Sequence, residues 1–279
     1  MRMPDGSTTF NDVIRGDCTF DHNFVPDFVL VRADGSPLYT LAVAVDDVLM
    51  EVTHILRGED LLSSTPRQIR VYQAMGVKPE DYPLFAHLPF VMGTDNAKLS
   101  KRNGETSIAW YREEGFLPEA ICNYLALLGW SPGDDRENLS LKELSELFTI
   151  ERVNSNPARF DMKKLENING DKIRALSLEE FYSWSLPFLQ RSKVVATPVT
   201  ADQEKIIKEA LPIIQERIIK LGEIPGMLAF LFTEKVDLDP ESVAKYLDGD
   251  SKKIIDRALE VLTPLTSWDH ASIDSALRS

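Results

Sequence analysis

Apolar positions recur with a period near two through the first hundred residues and near 3.6 beyond residue 107, so the sequence predicts strands and turns followed by helices. In "DFVLVRADGSPLYTLAVAVDD" the run at residues 28–32 reads as a strand, Asp34-Gly35 as a turn, and the apolar run at 38–45 as a second strand that ends at Asp46-Asp47. "EVTHILRG" predicts another strand, stopped at Gly58. "STPRQIRVYQAMG" predicts a helix, with Ser64 or Thr65 as N-cap, Pro66 as first helical residue and Gly76 as stop. "PLFAHLPFVM" is almost continuously apolar, the pattern of a strand buried on both faces of a parallel sheet. Strand, helix and strand make a βαβ unit, and this region is expected to be α/β.

The second half reads as all-α. A first helix is expected from Ser107 to a stop at Gly115, and a second from Pro118 to Gly129 with Ala120, Ile121, Tyr124, Leu125 and Leu128 on one face. Three capping boxes mark further starts: Ser140 with Glu143, Ser177 with Glu180, and Thr200 with Gln203. Asp239-Pro240 opens another helix, and Pro212 and Pro225 are expected to break or kink the longest helical stretch.

At 279 residues the chain is long enough for two or more domains. No apolar run approaches the roughly 18 residues of a membrane span, and "MRMPDGSTTF" has no signal-peptide pattern, so a cytoplasmic protein is expected. Cys18 and Cys122 are too few and too isolated for a disulfide framework or a zinc site, and read as small buried thiols. The net charge of -13 argues against nucleic acid as a partner, but it is unevenly placed. Residues 1–150 hold 23 acids and 13 bases, whereas residues 151–279 hold 21 acids and 18 bases, which leaves room for a binding face in the second half. Against this acidic background "AKLSKRNGETS" carries Lys98, Lys101 and Arg102 within five residues. Following a buried strand, such a loop lies where open α/β sheets bind ligands, and its cations suit shifting phosphate charge; a solvated surface turn is the alternative. His54 and His87 have no ligand partner at metal spacing and read as structural, and Asp46-Asp47 reads as a solvated turn rather than a magnesium site.

Taken together, "HILRGEDLLSSTPRQ", "FAHLPFVMGTDNAKLSKR" and "YREEGFLPEAICNYLALLGWS" resemble the glutamyl-tRNA synthetases, class I aminoacyl-tRNA synthetases, in family order from about residue 10 to at least residue 232. The resemblance implies the second half of a Rossmann-type nucleotide-binding fold, followed by all-α stem-contact and anticodon-binding domains. It divides the chain into residues 1–45, the end of the acceptor-arm insertion domain, and 46–106, the second catalytic half with the "KLSKR" loop. Residues 107–176 would be the stem-contact domain, 177–236 a helical anticodon-binding domain and 237–279 the start of a second.

The activity implied is adenylation of glutamate with ATP and magnesium, then transfer to tRNA(Glu), with no structural zinc, no membrane and a monomer when complete. By the same resemblance Lys101 contacts the phosphates in the transition state, with Lys98 in support. Leu99 lies near the adenine, the backbone of Phe90 and Val91 holds its edge, and Asp60 lies near the ATP site. Tyr39 and Arg57 hold glutamate, and Val43 stands where some members have a polar residue touching the amino acid. Taken singly, Phe90 and Val91 are ordinary buried strand residues, and Arg57 suits either a structural ion pair or a substrate carboxylate gripped by two parallel hydrogen bonds.

One family feature is missing: no Gly-x-x-His-x-Gly segment, the first class I signature, occurs in the chain. The resemblance therefore implies truncation at both ends and no glutamate activation by this chain alone. It also implies that "PLFAHLPFVM", deprived of neighbouring strands, has an unpaired edge. A non-catalytic tRNA-binding fragment or paralogue, and a synthetase that also charges tRNA(Gln), are the two alternatives.

Overall fold

In the computed structural model, which describes residues 1–93, 98–99, 107–233, 238–247, 249 and 251–279, the first element is a hairpin. Its strands β1 (Ser7–Asp12) and β2 (Gly16–Asp21) run antiparallel with Phe10 opposite Cys18. The chain continues through helix α1 (Tyr39–Leu49), strand β3 (His54–Gly58), helix α2 (Thr65–Ala74) and strand β4 (Leu84–Leu88). These four strands form one sheet in the order β2-β1-β4-β3. β3 and β4 are parallel and in register from His54 opposite Leu84 to Gly58 opposite Leu88, which completes the expected βαβ unit.

β4 has a neighbour on each side, contrary to the expected unpaired edge. β1 joins it in parallel through Asp12 opposite Phe85, and the Val13 amide donates to the Phe85 carbonyl at 2.8 Å. Packed on this sheet are Ala44, Ile69, Val71, Tyr72 and Phe85, ringed by Phe10, Leu41, Val48 and Ile55.

Three local expectations for this region fail. The run at residues 38–45 belongs to helix α1, not to a strand. An unbroken apolar run fits a buried helix as well as a buried strand, and here Leu41, Ala44 and Val48, three and four residues apart, all enter the core as one helical face. Residues 28–32 form no strand beyond a single bridge from Val31 to Pro37, although the Asp34-Gly35 turn is present. "PLFAHLPFVM" is two strands, because Pro89 has no amide to continue the ladder. After it the chain leaves the sheet, and β5 (Val91–Met92) pairs with β6 (Ala158–Arg159) instead. Among the described residues beyond 107, β6 is the one strand; the other regular elements are helices.

Helices α3 (Ile108–Glu114), α4 (Pro118–Leu127), α5 (Leu141–Leu147), α6 (Met162–Ala175), α7 (Leu178–Arg191), α8 (Ala201–Gln215) and α9 (Ile224–Leu228) follow. All three capping boxes form, each with the hydroxyl bonded to the third-residue amide and that residue's side chain bonded back. Of the break or kink expected at Pro212, a break does not occur, since α8 runs through it. One helical detail differs from expectation: on α4 the buried residues are Ala120, Asn123 and Tyr124, with Leu125 half exposed. Cys122 is exposed, on the face of α4 away from Ala120 and Tyr124, and Cys18 is only partly buried.

Gly115 ends α3 in the left-handed region at φ 94°, where a Cβ would lie 2.4 Å from the Gly222 nitrogen. Fully buried Asn169 on α6 accepts from the Leu117 amide at 2.8 Å and donates to the Ile219 carbonyl at 2.6 Å. Residues 1–227 form one compact unit and residues 228–279 another. In the second, α10 (Pro240–Tyr246) starts at Asp239 as expected, followed by α11 (Ser251–Leu262) and α12 (His270–Arg278). Among the described residues no helix is long and apolar enough to cross a membrane.

Candidate active site

Parallel β3 and β4 each carry a polar side chain one residue before the carboxyl end: Arg57 on one strand and His87 on the other. This is the side of an open α/β sheet on which ligands bind. Arg57 is anchored there by its own guanidinium. Nε donates to His87 Nε2 at 2.9 Å, and Nη2 donates to Thr65 Oγ1 at 2.8 Å and to the Leu61 carbonyl at 3.3 Å. Nη1 makes no hydrogen bond among the described residues. A side-on grip by two parallel hydrogen bonds, the usual arginine–carboxylate geometry, is thus taken up by the protein itself, and Nη1 is the nitrogen left to face a ligand.

His87 is fully buried and every polar atom it has is engaged. Its Nδ1 lies 2.5 Å from Asp12 Oδ2, its amide donates to the same carboxylate, and its carbonyl accepts from Arg15 Nε at 3.3 Å. Since an arginine Nε always donates, His87 Nε2 must be the accepting nitrogen, so the proton sits on Nδ1 and points at Asp12. Burial pushes the imidazole below the usual histidine range; the hydrogen bond to Asp12 pulls against this, and the Arg57 and Arg15 charges reinforce the push. Asp12 is itself buried and also accepts from the Ile14 and Arg15 amides, at 3.1 and 3.0 Å.

A second cluster follows β3. Glu59 Oε2 pairs with Arg15 Nη2, and Glu59 Oε1 accepts the Phe90 amide at 2.9 Å. Lys98 Nζ stands 4.0 Å from the centre of the Phe90 ring and 3.7 Å from Asp60 Oδ2, a half-exposed pair. The Leu99 amide donates to the Val91 carbonyl at 2.9 Å, and Lys98 bridges to Met92, so residues 98–99 fold back on β5. Asp60, Phe90, Val91, Lys98 and Leu99 are therefore neighbours. Lys101 lies outside the described residues.

The remaining predicted positions come from α1. Tyr39 is its first residue, Val43 lies one turn on and Asp47 another, which sets all three along one face. Asp47 accepts from the Tyr72 hydroxyl of α2 at 2.9 Å, so it is a packing partner and not part of a solvated turn at a strand end. Burial and Asp47 push the Tyr72 phenol far above its usual range, with Arg57 pulling it down and Tyr39 raising it more weakly. Val43 is half-buried beside Ala44.

Asp12, Arg15, Glu59 and the partnered role of His87 are the residues that reading along the chain missed. One signal was available: a histidine inside a doubly buried strand needs a hydrogen-bond partner. Which partner was not available, because Asp12 is 75 residues away. Among the described residues no group of three or more His, Cys, Asp or Glu is placed to hold a metal ion.

Comparison with known proteins gives this arrangement its context. Residues 1–167 match the family described as tRNA synthetases class I (E and Q), catalytic domain, and residues 179–279 match an anticodon binding domain. Among curated relatives, a glutamate–tRNA ligase of Paenarthrobacter aurescens is 49% identical over the whole chain, and one of a Nocardioides species is 48% identical. The chain spans only 56% and 57% of their lengths. A crystal structure of a glutamate tRNA ligase from Elizabethkingia meningosepticum, in complex with its amino acid, superposes with a TM-score of 0.81 at 29% identity, covering 98% of this chain and 56% of that one. With a catalytic-domain match that covers more than half its length and includes the strand-end cluster just described, the chain belongs to the class I tRNA synthetases of the glutamate and glutamine family.

Proposed function

We propose that this chain supplies the glutamate-contacting strand ends, the phosphate loop and the tRNA-binding helices of a glutamate–tRNA ligase. The reaction is attack of the glutamate α-carboxylate on the α-phosphate of ATP, releasing pyrophosphate, followed by transfer of the glutamyl group to tRNA(Glu). Arg57 and Tyr39 take the glutamate, with Val43 beside them. Lys98 and Lys101 meet the phosphates, while Asp60, Leu99 and the backbone of Phe90 and Val91 border the nucleotide. The Phe90 amide is already donated to Glu59, so its carbonyl is the atom left for an adenine edge. Magnesium would enter with the nucleotide, the site of action would be the cytoplasm, and the residue 107–279 helices would follow the tRNA by backbone and shape contacts, divided at residues 176 and 236.

The observation that carries this reading is Arg57 itself. A guanidinium held at the carboxyl end of a parallel strand by two buried side chains, with one nitrogen unspent, is suited to a carboxylate ligand. The test is glutamate-dependent exchange of pyrophosphate into ATP, measured on the chain alone and with the N-terminal half of a relative added. Arg57→Leu should raise the glutamate KM about tenfold or more and spare that of ATP. An unchanged glutamate dependence would remove Arg57 from the site. Exchange absent from every combination, with tRNA binding retained, would favour the tRNA-binding module. Charging of tRNA(Gln) beside tRNA(Glu) separates the non-discriminating form.

A further inference from the structure

The guanidinium of Arg57 has five N–H groups, and three of them are already committed to protein atoms. Two of those commitments are ordinary: a backbone carbonyl and a threonine hydroxyl, either of which accepts whatever the surroundings. The third is conditional. His87 Nε2 accepts only when the imidazole is neutral and carries its proton on Nδ1. The other neutral tautomer, or the imidazolium, would put an N–H against an N–H and turn Arg57 away. The guanidinium itself disfavours an N–H on Nε2, and the Asp12 carboxylate, 2.5 Å from Nδ1, holds the single proton on the opposite nitrogen.

The ring is also fixed in orientation. Its backbone amide is held by Asp12 at 3.1 and 3.2 Å, its carbonyl by Arg15, and its face lies against Phe85 with ring centres 6.4 Å apart and planes 17° from parallel. Thr65 Oγ1, which receives Arg57 Nη2, lies 3.3 Å from the same Nε2 and can donate its own proton there. β1, β4, α2 and β3 thus each contribute one link to a single arrangement whose one exit is Nη1 of Arg57. On the reading of Arg57 as a glutamate ligand, we infer that Asp12 and His87 are positioning residues that fix the guanidinium plane, so that the substrate carboxylate is met end-on by Nη1.

The test uses the 279-residue chain labelled with nitrogen-15 in histidine and arginine, with His87 assigned by through-bond correlation to its own backbone. Near neutral pH, Nδ1 should appear as the protonated nitrogen and Nε2 as the unprotonated one. The Arg57 Nε–H signal should show the slow solvent exchange of a buried hydrogen bond. His87→Phe should abolish that protection, and His87→Gln, which keeps an acceptor toward Arg57, should recover most of it. Titration with L-glutamate should shift the Arg57 signals of the parent chain, with Kd about tenfold weaker in His87→Phe, the scale of one hydrogen bond to a charged group. An Nε2-protonated or doubly protonated His87, or an Arg57 signal indifferent to residue 87, overturns the inference. The tautomer is read on the unsubstituted chain, so this holds even where a variant fails to fold. If the tautomer and the Arg57 coupling are as expected but glutamate shifts nothing, the positioning stands and the glutamate reading of Arg57 falls.

Discussion

The strand-end cluster and the capped helices are both polar constructions, but they are assembled over very different distances along the chain. At the sheet, Asp12 reaches His87 across 75 residues, Arg57 reaches His87 across 30, and Arg15 reaches Glu59 across 44. In the helices, Ser140 meets Glu143 and Ser177 meets Glu180, three residues away. The first kind of contact forms only once the sheet has been built; it buries Asp12 and His87 and partly buries the arginines and Glu59 around them. The second forms as soon as one helical turn exists and stays near solvent. Each helix cap can therefore be lost with modest consequences, while the sheet cluster stands or falls together.

The sharpest way to break this comparison is Asp12→Ala. It leaves the amides of Ile14, Arg15 and His87 and the His87 Nδ1–H without an acceptor, close to the partly buried Arg15 and Arg57. A loss of about 3 to 5 kcal/mol is expected in urea unfolding, enough to abolish the sheet's transition in a marginal domain. Asn169→Leu, the helical region's own long-range polar contact, should come next at about 3 kcal/mol, because it strands the Leu117 amide and the Ile219 carbonyl. If it behaved like a cap, distance along the chain would not be the relevant variable.

Acid supplies a gentler test. The His87 pKa is lowered in the folded chain, so the unfolded chain takes up the proton first as pH falls, and stability present above the usual histidine range is lost below it. The groups that decide this face His87 from three elements: Asp12 on β1, Arg15 just after it, and Arg57 on β3. Stability, read from unfolding with a sheet-sensitive probe, should fall between neutral pH and the acid side of that range, and His87→Gln should flatten the dependence. Ser140→Ala should have the smallest effect, about 1 kcal/mol, read from the urea midpoint at an unchanged slope. A cap variant as damaging as Asp12→Ala would collapse the distinction.

Legibility in the sequence follows the same line. Helix starts at Ser107, Pro118, Ser140, Ser177, Thr200 and Asp239 are where the caps predict them, because a cap and its helix share a few consecutive residues. The βαβ unit of β3, α2 and β4 is equally clear from its punctuation by Gly58, Pro66 and Gly76. Helix α1 was misread as a strand because its run of apolar residues has no polar interruption to reveal a period, and only the packing of Leu41, Ala44 and Val48 decides it. Pro212 is expected to break or kink α8, and the helix continues through it without a break, with Leu211 and Ile214 buried on either side.

What the sequence determined by itself is the set of local commitments: where turns fall, where helices begin, and which blocks resemble a synthetase. Those depend on dihedral preferences and hydrogen bonds between near neighbours, which are written in consecutive residues. Only the tertiary structure decided that β1 lies beside β4, and with that pairing that Asp12 meets His87 and His87 turns toward Arg57. A buried polar atom must find a partner, but the rule names no address. The address is set by strand order, and strand order is a property of the folded sheet as a whole.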